Sequence, residues 1–299
     1  MVDARPAIAG ALAGIPFTKM TGSGNDFVIF DGRRMEIAAV TTPEVIRAIC
    51  HRNNGIGADG VVILSPAATG EILQVQYFNR DGTRGELCGN ATLCSTALAV
   101  ASGLAAAQGM TLETDAGRVH ARIAGDAPEI DLAGVDEVVD DATDRVPLIA
   151  GERRVGFARV GVPHIVIQVA DEAALGTVDV SSRGRSIRQS VAMQPSGTNV
   201  NWVAPRMAGG WAYRTYERGV EDETLACGTG AVAAAILLSR WGHGPGPHTL
   251  HTRSGRPVTV RFRSADAAGP SGSALWYPSL RGEGRVVFTG VLAGDPPRR

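Results

Sequence analysis

Cysteine is scarce in this sequence: Cys50, Cys88, Cys94 and Cys227 are all there is in 299 residues. Four thiols in a chain of that length are too few for a disulfide scaffold, and no two of them form a Cys-x-x-Cys pair. The six histidines are dispersed. His248 and His251 stand three apart, but in a Pro/Gly-rich strand entry with no cysteine or carboxylate close by. No metal site is expected, because zinc needs several ligands at close spacing. Long apolar runs are missing too. No window approaches the roughly 18 residues of a membrane span. The best candidates, residues 97–107 and 231–238, are short, Ala-rich and read as buried helices. An excess of charge of one sign is also absent: 29 basic residues against 30 acidic ones leave a net charge of −1. Such a chain has no broad field for nucleic acid or an anionic membrane. Arg183, Arg185 and Arg188, interleaved with serines, read as a solvated loop or helix face. The opening MVDARPAIAGALAG has a weak apolar run and no convincing export signal. It is expected to be an extension before the first strand of a cytoplasmic protein.

What is present is an ordinary soluble composition, 44% hydrophobic and 20% charged, at about twice the usual length of one domain. Strands are expected at 17–20 and 27–30, around the turn-forming TGSGND. A helix is expected over 42–51, capped by Thr41 or Thr42 with Pro43 in its first turn. Strands at 61–64 and 72–79 lead to the turn Asp81-Gly82, then to Leu87-Cys88-Gly89-Asn90 and an Ala/Leu-rich helix over 91–104. Short strands follow at 110–114, 118–123 and 129–132. The same grammar then repeats. Strands at 154–159, 164–169, 200–204 and 211–217 lead to Leu225-Ala226-Cys227-Gly228-Thr229-Gly230 and an Ala-rich helix over 231–241. Strands at 248–252, 257–262 and 285–289 close the chain. CGNATLCSTALAV and CGTGAVAAAILL are thus two instances of one device. Helices apolar on nearly all sides must be buried. Two similar α/β domains related by duplication follow, with a cysteine from each expected to meet across an interdomain cleft.

The pair of cysteines points to proton chemistry. Inverting an amino-acid α-carbon takes a base on one face and an acid on the other. Two thiols suit a reversible reaction because their roles exchange with direction. A helix N-terminus favours the thiolate. The glycine after each cysteine lets backbone approach a ligand. The amides of Gly89, Asn90, Gly228 and Thr229 could then hold a carboxylate. Cys50 and Cys94 lack this setting, and Cys94 reads as core. Two other readings stay open. A cysteine hydrolase using His164 would leave Cys227 unexplained. A non-enzymatic binding protein would leave both thiols unexplained.

The segments FTKMTGSGNDFVIFDGR, GIGADG, FNRDG, LCGN, GTNVNWV, YERG, ETLACGTGA, HTRSGRPVTVRF and GEGRVVFTG occur in that order. Together they resemble the diaminopimelate epimerase family, from about Phe17 to Gly290. The resemblance implies an α/β (α+β) fold of two pseudo-symmetric domains, each a β-barrel-like sheet around a central helix. The first would cover 15–131, completed by a C-terminal strand near 285–299, and the second 132–284. It implies an isomerase that needs no cofactor, is commonly a homodimer, and interconverts LL- and meso-diaminopimelate in lysine and peptidoglycan precursor synthesis. Carried over by position, Cys88 and Cys227 are the two bases, and His164 and Glu217 assist the proton transfers. Asn25, Asn79, Gly89, Asn90, Asn199, Glu217, Arg218, Gly228 and Thr229 contact substrate. Arg218 can grip a distal carboxylate with two parallel hydrogen bonds, or else pair at the surface with Glu221 or Asp222. The chain departs from the family pattern at Ala91-Thr92-Leu93, at Val162 where an asparagine is usual, at Gly60 where some members have glutamine, and by one extra residue between Glu217 and Cys227. These changes touch the distal end of the substrate. A racemase of another amino acid, such as histidine, is the alternative.

Overall fold

A computed structural model of the chain describes residues 12–67, 72–263 and 276–293. Most of the N-terminal extension and the last residues of the expected C-terminal segment lie outside them. The chain divides into two compact units. One runs to Ile130 and takes back the chain from Glu283, and the other is Asp131–Gly282.

In the first unit, β1 (Pro16–Gly22) pairs antiparallel with β2 (Asn25–Asp31), and β2 runs parallel to β3 (Gly60–Pro66). Helix α1 (Pro43–Cys50) supplies that crossover, capped by Thr42 with Pro43 in the first turn, as the sequence indicates. β4 (Ile72–Asn79) is antiparallel to β3, carries the short β5 (Arg84–Gly85), and runs parallel to β6 (Met110–Thr114). Helix α2 (Gly89–Ala101) makes the second crossover. β7 (Gly117–Ala124) and β8 (Ala127–Asp131) extend the sheet as a meander.

The second unit repeats this order strand for strand. The short β9 (Val138–Val139) and β10 (Glu152–Val160) precede β11 (Val162–Val169), which runs parallel to β12 (Asn199–Pro205) after helix α3 (Val180–Gln189). β13 (Trp211–Glu217) carries the short β14 (Asp222–Thr224) and runs parallel to β15 (His248–His251) across helix α4 (Gly228–Arg240). β16 (Pro257–Arg263) and β17 (Tyr277–Arg281) complete it. The last strand, β18 (Arg285–Val291), returns to the first unit and pairs antiparallel with β1. It stands to β1 as β9 stands to β10.

In each unit the sheet surrounds a helix. α2 contacts β1, β2, β3, β4, β7 and β18, while α4 contacts β10, β11, β12, β16 and β17. α4 is buried without a break from Gly230 to Leu238. α2 buries Thr92, Ser95 and Thr96, whose hydroxyls donate back to Cys88 O, Ala91 O and Thr92 O at 2.8–2.9 Å. Those bonds make polar side chains tolerable in the core.

The sequence reading did not mark α3 as an element. It is a helix of serine, arginine and glycine that buries only Val180, Gly184 and Ile187. Arg183 reaches Glu152 at 2.9 Å and Arg188 reaches Glu221 at 3.2 Å, so these two arginines are held in ion pairs.

Candidate active site

In each unit a cysteine stands where a parallel crossover delivers a helix start beside strand ends. Both helices begin at the glycine, so Cys88 and Cys227 are N-caps. Their backbones coincide: φ −126° and ψ 114° at Cys88, φ −127° and ψ 113° at Cys227. Each cysteine carbonyl accepts from the amide four residues on at 2.9 Å. Neither side chain caps its helix, which leaves the first-turn amides directed outward. The Cys227 Sγ lies 3.6 Å from Thr229 Oγ1. Cys50 and Cys94 are buried, and desolvation pushes both thiols up, that of Cys50 to about 12. They are inert core thiols.

In the first unit, hydrogen bonds fix the direction of two amides. Asp59 Oδ2 can only accept, so Asn25 Nδ2 donates to it at 3.1 Å. Asn25 Oδ1 then accepts from Asn90 Nδ2 at 2.7 Å. That leaves Asn90 Oδ1 buried with no partner among the described residues. Asp59 is itself held by Arg52 at 2.7 Å, which also grips Asp26 through two bonds of 2.9 and 3.0 Å. Burial works against the Asp26 charge, but the bonds from Arg52 and Lys19 hold its carboxyl below the usual range. Asn79 donates to Thr83 Oγ1 at 3.0 Å, within its own turn. Tyr77, on β4, occupies the space that a longer residue at position 60 would need, since a β-carbon on Gly60 would lie 2.6 Å from its Cε2. Burial first, and the neighbouring Cys88 second, hold the Tyr77 phenol protonated.

In the second unit, His164, Asn199, Glu217 and Arg218 gather at adjacent ends of β11, β12 and β13. Asn199 Oδ1 accepts from the Arg218 amide at 2.8 Å. The Arg218 guanidinium donates to Ser196 O at 2.7 Å, and among the described residues it has no ion pair. Its proposed surface partners are engaged elsewhere. Glu221 takes Arg188, Gly219 N and the Tyr216 hydroxyl, and Asp222 takes Ser181. Glu217 accepts from the Thr224 hydroxyl. His164 is fully buried, and desolvation, followed by the Arg218 charge, pushes it down to about 3. It is therefore neutral. Its Nε2 has no partner among the described residues. Behind it lie Asn201, Tyr213 and Thr215, all buried and hydrogen-bonded together. The sequence reading passed over these three and Asp59. Asn199 and Asn201 share one face of a buried strand, and that spacing was the available signal.

Two duplicated units, each a sheet around a central helix, make up a fold that solved structures share. A hydroxyproline epimerase from Agrobacterium vitis, solved with bound trans-4-hydroxy-L-proline, aligns with a TM-score of 0.59 at 17% identity, over 95% of this chain and 93% of that one. A PhzF-family phenazine biosynthesis protein from Bacillus anthracis aligns at 0.70 and 12% identity, over 92% and 98%. At such identities the likeness establishes the fold. A family model described as diaminopimelate epimerase matches residues 17–137 and 156–267. A diaminopimelate epimerase from Gemmatimonas aurantiaca is 53% identical over 281 residues, 93% of this chain and 99% of that protein. Another from Aquifex aeolicus is 35% identical over 82% of this chain and 89% of its own length. The chain belongs to the diaminopimelate epimerase family and is an isomerase.

Proposed function

We propose that this isomerase interconverts LL- and meso-2,6-diaminopimelate by a two-base reaction with Cys88 and Cys227 as the acid/base pair, a step in lysine and peptidoglycan precursor synthesis. The observation that carries this reading is the repeated N-cap: two cysteines with the same backbone angles, at the same point of the same strand order, each followed by glycine. One thiolate takes the α-proton while the opposite thiol delivers its own to the other face, and the roles exchange in the reverse direction. The first-turn amides at Gly89, Asn90, Gly228 and Thr229 suit the α-carboxylate and the charge that grows on it as the proton leaves. Asn90 Oδ1, a buried acceptor, suits the α-ammonium. Arg218, with no carboxylate partner among the described residues, suits the distal carboxylate. Asn25, Asn79, Asn199 and Glu217 complete the contact set, and His164 and Glu217 flank the proton transfers. Nothing in this scheme calls on a metal or an organic cofactor. The biosynthetic role gives the enzyme a cytoplasmic address.

A homodimer belongs to the same reading. β18 has β1 as its strand partner, and it exposes Val286, Val287, Phe288 and Val291. An apolar edge of this kind invites pairing with a second copy.

The test is deuterium uptake at the α-carbon in D₂O, with LL-diaminopimelate, histidine and glutamate as substrates. Exchange should be confined to diaminopimelate. Cys88→Ser and Cys227→Ser should each lower kcat by on the order of a hundredfold or more. Near-parent turnover in either variant removes the two-base assignment, and faster exchange on histidine removes the substrate.

A further inference from the structure

His164 bears a proton on one of its two ring nitrogens, and the neighbouring hydrogen bonds decide which. Asn201 lies beside it, fully buried. Its Oδ1 accepts from the Tyr213 hydroxyl at 2.8 Å and the Thr215 hydroxyl at 2.9 Å. Its Nδ2 donates to Ile165 O at 2.9 Å. This amide cannot be turned over, because its oxygen would then face a carbonyl that only accepts. The second hydrogen on Nδ2 is therefore directed at His164 Nδ1, 3.4 Å away. A nitrogen facing a donor must present its lone pair. The proton accordingly belongs on Nε2, the atom that is buried and without a partner among the described residues. A buried N–H left unsatisfied is costly, so this one calls for an acceptor beyond the described side chains.

The same network reaches the helix that carries Cys227. The Tyr213 hydroxyl lies 3.2 Å from Cys227 O as well. A β-carbon on Gly230 would sit 2.3 Å from Asn201 Oδ1 and 2.4 Å from the Tyr213 hydroxyl, so the first turn of α4 packs directly on this pair. One buried cluster thus sets both the protonation pattern of His164 and the seat of the Cys227 N-cap.

We propose that Asn201 is a positioning residue that holds His164 as the neutral Nε2–H tautomer, so that His164 serves this site as a hydrogen-bond donor to an anionic group and not as a proton acceptor. This rests on the reading of His164 as part of the site, but the tautomer itself is read without substrate or turnover.

The experiment is long-range ¹H–¹⁵N correlation on the full chain labelled with ¹⁵N-histidine, with the His164 signals identified by their loss in His164→Gln. In the parent at about pH 7, Nδ1 should resonate as the bare, pyridine-type nitrogen and Nε2 as the protonated, pyrrole-type one. An Nδ1–H tautomer or an imidazolium overturns the proposal. Asn201→Asp sets a carboxylate oxygen against Nδ1 and should move the proton there. It should also lower kcat on the order of tenfold or more with KM little changed, the signature of a wrong tautomer. A folded Asn201→Asp protein that keeps the parent tautomer overturns the proposal. The parent spectrum decides the question alone if that variant does not fold. A protein with the expected tautomer that fails to exchange diaminopimelate counts against the substrate assignment only.

Discussion

His164 makes folding stability depend on pH in a definite direction. Its ordinary value is 6.5, and burial lowers it to about 3 in the folded chain. Below 6.5 the unfolded chain takes up a proton that the folded one refuses, so stability falls as pH drops from about 6.5 toward 3. At pH 4.5 the loss from this group is about 3 kcal/mol, from about 1.4 kcal/mol per unit over two units. Urea unfolding of the parent and of His164→Gln at pH 7 and pH 4.5 measures it. The parent should lose that much more than the variant between the two conditions, and equal losses would mean that His164 takes up its proton in the folded state. Asn90 presents the complementary case. The chain of bonds from Asp59 through Asn25 leaves it offering an oxygen, whereas His164, held by Asn201, offers a hydrogen. Neither atom has a partner among the described residues.

Helix α3 shows how packing reverses a propensity. Glycine in a helix interior usually costs about 1 kcal/mol relative to alanine, so Gly184→Ala would be expected to stabilise. A β-carbon there would lie 2.5 Å from Cβ and Cγ of Tyr216. Tyr216 is fully buried and cannot retreat. Overpacking of this kind costs about 1–3 kcal/mol, so Gly184→Ala should lower the midpoint of thermal unfolding, and a raised midpoint would show that the helix can lift off the sheet. The same glycine explains why α3 was not legible in the sequence. VSSRGRSIRQ has the composition of a loop, and its burial is confined to three positions at helical spacing. The elements that were legible carry their own signals: Thr42-Pro43 at the start of α1, the all-round apolar run of α4, the β-branched residues of β3 and β11. The Cys-Gly starts of α2 and α4 were legible because they occur twice. Asp59 and Asn201 were not, because their importance lies in which amide they orient, and that is visible only once strands are paired.

At the scale of the molecule, the repetition is one of topology more than of residues. Phe27 of β2 pairs with Gly60 in the register by which His164 of β11 pairs with Asn199. The first unit thus carries an aromatic ring and a glycine where the second carries an imidazole and an amide. Identical frames have been furnished differently, and the two cysteines are what they keep in common. The exposed strand β18 is where a second copy would add. Val287→Lys places a charge on that edge, a substitution that blocks strand pairing between chains without disturbing a core. It should convert a dimer to a monomer in sedimentation equilibrium, and an unchanged mass would move the interface elsewhere.

The return of β18 to β1 has a consequence for how the protein is made. β1 leaves the ribosome well before β18, one of its two neighbours. Every residue of Asp131–Gly282 is synthesised in between. The unit that contains β1 is therefore finished after the unit it encloses in sequence. Until β18 emerges, β1, with the buried Phe17 and Met20, waits with one side uncovered.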